Sequence, residues 1–260
     1  MKLLERWPLI TAVLISLLII NFITTFVQSG TNSYLGSKTP DFSSINNIPE
    51  RKQAFFSYVD EQLGAVNHSI VEIRSKLITL QIKEQLTYSD KRFINKMAEK
   101  YRISSEENSF SNEQQKLSEL LLRVDQIPPA LVLAQAASES AWGTSRFARK
   151  ANNYFGIWCF TKGCGLVPNQ RGQQQVHEVK YFKTVKQSIA YYVKLLNSSD
   201  SYKKLRTIRA TLKQSDKILS AEALLPGLEK YSERGDDYLN EISSIIRFNK
   251  LEEKYPSHAE

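Results

Sequence analysis

From Leu131 to Ala137 the chain runs Leu-Val-Leu-Ala-Gln-Ala-Ala, with Ala141 and Trp142 close behind. A helix so apolar on so many sides has to be buried. One carboxylate, Glu139, stands where a core residue is expected. Ionised and unpaired, it would cost on the order of several kcal/mol. Such a group persists either because something pairs with it or because its protonated form does chemistry.

Pro128 and Pro129 suit the first turn of this helix, and Gly143 suits its end. Upstream, Phe55, Tyr58, Val59, Leu63, Val66, Ile70, Ile73, Leu77, Ile78 and Leu80 recur at three- and four-residue steps, which predicts a long helix from Glu50. A second helix is predicted behind Ser89 as N-cap, and a third over residues 112–124. Residues 152–182 hold Gly, Pro, aromatics and alternating Val176, Val179 and Tyr181, which predicts a small hairpin-like lobe. The helical pattern returns from Thr184, and two further helices are predicted near 221–229 and 236–251. The fold class is therefore mainly α (α+β), with a cleft expected between a helical domain and a small β-containing lobe.

Residues 8–27 carry no charge and match the ~30 Å hydrocarbon core as a helix. Lys2 and Arg6 on the near side place residues 1–7 in the cytoplasm. A cleaved signal peptide also fits, though no small-x-small site follows Val27. The favoured reading is a single-pass anchor in a bacterial inner membrane with the remainder on the periplasmic side. Residues 28–49 then form a polar linker, 50–125 an N-terminal helical region and 126–260 a catalytic domain. The net charge of +8 favours an anionic partner, and export argues against nucleic acid. Cys159 and Cys164, spaced Cys-Phe-Thr-Lys-Gly-Cys, could close a disulfide loop in an exported protein or remain two separate thiols. No zinc spacing is present, and His68, His177 and His258 lie far apart, so no metal or cofactor is expected.

Glu139 is the first candidate for chemistry. Trp142 follows at helical i+3 spacing, where its ring would raise the carboxyl pKa and leave a proton to give to a glycosidic oxygen. A solvent-facing helix-end Glu is the plainer alternative. Asn152, Asn153, Phe155 and Trp158 combine amides with rings, as sugar-binding surfaces do; a turn followed by core aromatics fits equally. Tyr231 and Tyr238 bracket a loop before the last helix that could reach the cleft. Two-carboxylate glycoside hydrolysis needs a second acid, for which Glu178 beside His177 is the candidate; an exposed strand residue is the alternative. A single acid assisted by a substrate N-acetyl group would also serve.

Taken together, these segments resemble the glucosaminidase domain of glycoside hydrolase family 73, within the lysozyme-like superfamily, and in particular the Bax family of bacterial proteins. The resemblance is carried, in order, by Ala134-Gln-Ala-Ala-Ser-Glu-Ser-Ala-Trp-Gly143, Asn152-Asn-Tyr-Phe-Gly156, Trp158-Cys-Phe-Thr-Lys-Gly-Cys-Gly-Leu-Val-Pro168, Tyr181-Phe-Lys with Ser188-Ile, and residues 231–238. Arg51-Lys-Gln-Ala-Phe-Phe56 resembles that family's N-terminal part. The resemblance implies an endo-β-N-acetylglucosaminidase acting on β-1,4 bonds of peptidoglycan strands, with Glu139 as general acid. Tyr231 falls near a tyrosine lining the family's site, although Tyr-Ser-Glu-Arg-Gly-Asp-Asp stands where Tyr-Ala-Thr-Asp-Pro is usual. The lobe that holds the family's second acid is short here. A lytic transglycosylase on the same fold and a non-catalytic glycan-binding scaffold are the competing functions.

Overall fold

The computed structural model describes residues 39–103, 112–169, 175–215 and 217–257. The span from Thr39 onward forms one compact unit, so the long N-terminal helix and the predicted catalytic domain pack together. The fold is mainly helical with one small sheet, and fits the α-rich, lysozyme-like architecture expected. Among the described residues no helix is long and apolar enough to cross a membrane. The anchor predicted at 8–27 lies outside the described residues.

Helix α1 (Ile48–Gln81) is started by Asn47, whose side chain accepts from the Glu50 N–H, and by Pro49 in its first turn. Its stripe Phe55, Tyr58, Val59, Leu63, Val66, Ile70, Leu77 and Leu80 is buried as the periodicity predicts. Ile78 instead faces solvent. Helix α2 (Tyr88–Lys100) begins at Thr87 rather than Ser89, because Thr87 and Asp90 form a reciprocal capping box. Helix α3 (Glu113–Arg123) starts at Asn112. The apolar run becomes α4 (Pro129–Ser140), buried from Ala130 to Ala137. A short α5 (Arg146–Ala151) follows, which the sequence reading does not anticipate.

The lobe is a three-stranded antiparallel sheet of β1 (Trp158–Cys159), β2 (Gly165–Leu166) and β3 (Glu178–Lys180), in the order β1-β3-β2. Trp158 and Leu166 both pair with Val179. Helix α6 (Val185–Ser198) is capped by Thr184 and packs along α1. Helix α7 (Lys203–Gln214) was not anticipated either, because its buried face is Leu205, Arg206 and Arg209 rather than an aliphatic stripe. The elements α8 (Ala221–Leu224), α9 (Asp236–Phe248) and α10 (Leu251–Lys254) complete the fold, and all three contact α4.

The buried arginines close helix ends. Arg209 donates to the carbonyls of Leu122, Arg123 and Gln126 and to Asn197 Oδ1, at 2.8–3.3 Å. Arg206 donates to Leu196 and Ser199 at the end of α6. These groups supply donors and positive charge where helix carbonyls lack partners. Asp125 faces Arg74, Arg209 and Lys213 at 3.6, 3.7 and 2.9 Å, so its buried charge is compensated.

Candidate active site

Glu139 lies in the last turn of α4, half-buried. Burial holds its carboxyl above the usual glutamate pKa, and the charge of Glu241 adds to the rise. A hydrogen bond from Tyr238 and the charge of Arg234 pull in the opposite direction. The carboxyl faces the turn after α5: a Cβ on Gly156, whose φ is +63°, would sit 3.5 Å from Glu139 Oε2. That position therefore keeps the backbone close to the acid.

A relay of side chains fixes the orientation of Tyr238. Tyr192 Oη donates to Gln135 Oε1. Gln135 Nε2 donates to Tyr238 Oη at 2.8 Å. Tyr238 thus accepts from the amide and keeps its own proton for Glu139. Gln135 is one helical turn before Glu139 on the same face. The sequence reading passed over both Gln135 and Tyr192; a lone amide one turn before the acid, inside an apolar run, was the available signal. Tyr231 stacks on Tyr238, with centroids 5.4 Å apart, and donates to the Phe155 carbonyl at 3.2 Å. Burial, then the neighbouring Tyr238 and Glu139, push the Tyr231 phenol well up, so it stays protonated near neutral pH. The structure thus brings Glu139, Tyr231 and Tyr238 together.

Trp142 goes elsewhere. Helix α4 stops at Ser140, and Ala141, Trp142 and Gly143 all take positive φ. The i+3 rule needs continuous helix, so the spacing argument fails. The indole instead packs edge-on against Phe55 and Phe56 of α1, with Lys52 Nζ 4.5 Å above it. Gly143 cannot carry a side chain, since a Cβ would meet Phe42 Cδ2 at 2.5 Å.

The amides are turn-holders. Asn153 is buried, donates to the Ile157 and Lys180 carbonyls and accepts from the N–H groups of Phe155 and Ile157. Its capacity is used within the protein, which leaves nothing for a sugar. Asn152 ends α5 in the left-handed conformation and donates to the Phe182 and Lys183 carbonyls. Phe155 is buried and stacks on Tyr192 at 4.0 Å, supporting the relay from behind.

Glu178 is buried, not an exposed strand residue. Its two oxygens accept from the Gly163 and Gly165 N–H groups at 2.9 and 2.8 Å. They clamp the loop closed by the Cys159–Cys164 disulfide, so the geometry gives Glu178 a structural task. Trp158 is an open ring of the lobe, as Phe160 and Tyr181 also are, and is stacked face to face on His177 at 4.0 Å. Glu241, a carboxylate near Glu139 that no motif marks, accepts from Ser138 Oγ and from Arg234 Nη1.

Residues 115–251 match the family model described as Glucosaminidase, mannosyl-glycoprotein endo-β-N-acetylglucosaminidase. The chain is 32 % identical over 222 residues to Protein bax of Escherichia coli (strain K12), covering 84 % of this chain and 77 % of that one. No solved structure matches it.

Proposed function

Because the chain belongs to the glucosaminidase family, we propose that it is a glycoside hydrolase in which Glu139 protonates the leaving oxygen of a β-1,4 bond at N-acetylglucosamine. The observation that carries this reading is the half-buried Glu139 carboxyl, held above the usual glutamate pKa by burial and met by a donor from Tyr238. The buried setting favours the protonated acid, and the Tyr238 hydrogen bond stabilises the carboxylate left after proton transfer. Tyr231 holds Tyr238 and the Phe155 carbonyl in place. Trp158 offers a face for a pyranose ring.

The geometry supports a one-acid route. Both oxygens of Glu178 are taken by backbone donors. In that route the substrate's acetamido oxygen attacks C1 as the glycosidic bond breaks, and the leaving oxygen takes the Glu139 proton. Water then adds at C1 as the C1–acetamido oxygen bond breaks and the N-acetyl group re-forms, and the water gives a proton to the Glu139 carboxylate. The same observation favours one further reading, a lytic transglycosylase, in which the bond at C1 of the muramic sugar breaks instead, that sugar's own hydroxyl attacks its C1 in place of water, and the hydroxyl proton passes to the Glu139 carboxylate.

The proposed substrate is peptidoglycan, whose anionic polymers the charge of +8 would attract. The Cys159–Cys164 disulfide supports export to an oxidising compartment, with residues 8–27 as anchor. Glu139→Gln is expected to remove nearly all release of fragments from purified peptidoglycan while the fold survives. Mass spectrometry of the products separates reducing N-acetylglucosamine ends from anhydro-muramic ends. Unchanged turnover by the variant would overturn the assignment, and binding without release by the wild type would support the scaffold instead.

A further inference from the structure

On the face of α6 away from Tyr192, a groove of about 360 Å³ runs between α1 and α6. Its floor is apolar: Ala65, Val66, Ile70 and Ile73 from α1, and Ala190 and Val193 from α6. Its rim is cationic, with Lys100, Lys186 and Lys194. None of these lysines has an acidic partner among the described residues. Burial, then the charges of Lys194 and of nearby Lys96, which does not line the groove, depress the Lys100 ammonium. Like charges gathered over an apolar slot with no acid among them are complementary to an anion that carries a hydrocarbon tail.

We propose that this groove binds a single-chain anionic lipid, its acyl chain between α1 and α6 and its carboxylate or phosphate head at Lys100, Lys186 and Lys194. The size is that of a small-ligand pocket, which begins near ~300 Å³. The site is separate from Glu139 and stands whether or not the chain cleaves glycan.

The test is photocrosslinking of the full chain in phosphatidylcholine vesicles with a diazirine-bearing palmitate, followed by peptide mapping. Label is expected on peptides covering residues 65–73 and 186–197, competed by palmitate but not by its methyl ester or by inorganic phosphate. Two variants, Ala190→Trp at an exposed position to fill the slot and the double change Lys186→Glu with Lys194→Glu at an exposed and a half-buried position, are expected to cut labelling at least fivefold with unchanged melting temperatures. Label spread over the chain, equal competition by the methyl ester, or undiminished labelling of both folded variants would overturn the proposal.

Discussion

Tyr238→Phe separates the chemistry of the relay from its packing. The change removes one oxygen and keeps the ring stacked on Tyr231. Glu139 then loses the donor that lowers its pKa, while burial still raises it. A hydrogen bond to a charged group contributes roughly 1.5–3 kcal/mol; with 1.36 kcal/mol per pKa unit, its loss moves the Glu139 titration up by at least about one pH unit. A general acid works only while protonated, so the alkaline limb of the rate profile moves to higher pH by the same amount. The maximal rate falls, because the carboxylate formed on proton transfer has lost its stabilising donor. Stability changes for a different reason: buried Gln135 Nε2 loses its acceptor, which costs about 1–3 kcal/mol. The linkage sign is definite. A folded pKa above the unfolded one makes stability fall as pH rises from the ordinary glutamate range through the folded pKa, and the variant deepens that fall. Carbon-13 detection of the Glu139 carboxyl reads the titration directly, without assuming any substrate. A Glu139 titration that stays put or moves down in Tyr238→Phe would refute the relay.

Other perturbations probe the remaining assignments. Arg209→Met strips four carbonyl and amide acceptors of their donor and removes one of the charges facing Asp125; a loss of about 3 kcal/mol, or roughly 6–12 °C in melting temperature, is expected by thermal denaturation. A change within one degree would show that the arginine is not what holds those helix ends. Glu178→Gln puts an amide donor against a backbone donor beneath the disulfide loop, so faster reduction of Cys159–Cys164 by dithiothreitol is expected, with a smaller loss of turnover than Glu139→Gln. Abolished turnover with an unaltered reduction rate would make Glu178 a catalytic acid after all. Trp158→Ala removes an exposed ring, so melting is unchanged while retention on peptidoglycan weakens several-fold, in line with ring-stacking contributions of about 0.5–1.5 kcal/mol. Equal retention would deny the ring a part in binding.

Much of the helical frame was readable from periodicity. The α1 stripe, the proline start of α4 and the Thr184 cap of α6 rest on local rules that neighbouring residues satisfy by themselves. Helix α7 escaped that reading because its inward face is arginine. Guanidinium groups count as solvent-seeking until the helix carbonyls they reach are known, and those carbonyls come from residues up to 87 positions away. The end of α4 escaped for a related reason: three successive positive-φ residues re-aim Trp142, and Phe42 and Phe55 from distant parts of the chain pack against that turn.

By itself the sequence determined that one carboxylate, Glu139, stands in an apolar helix, and that rings and amides recur downstream of it. Tertiary structure alone decided which of them meet. It drew Tyr238 and Gln135, 103 residues apart, into one hydrogen-bonded line on Glu139. It turned Trp142 toward α1, folded Asn153 into its own turn and set Glu178 beneath a disulfide loop. A side chain's type is a local property, but whether it serves substrate or scaffold depends on which donors and acceptors reach it first, and those partners arrive from distant parts of the chain.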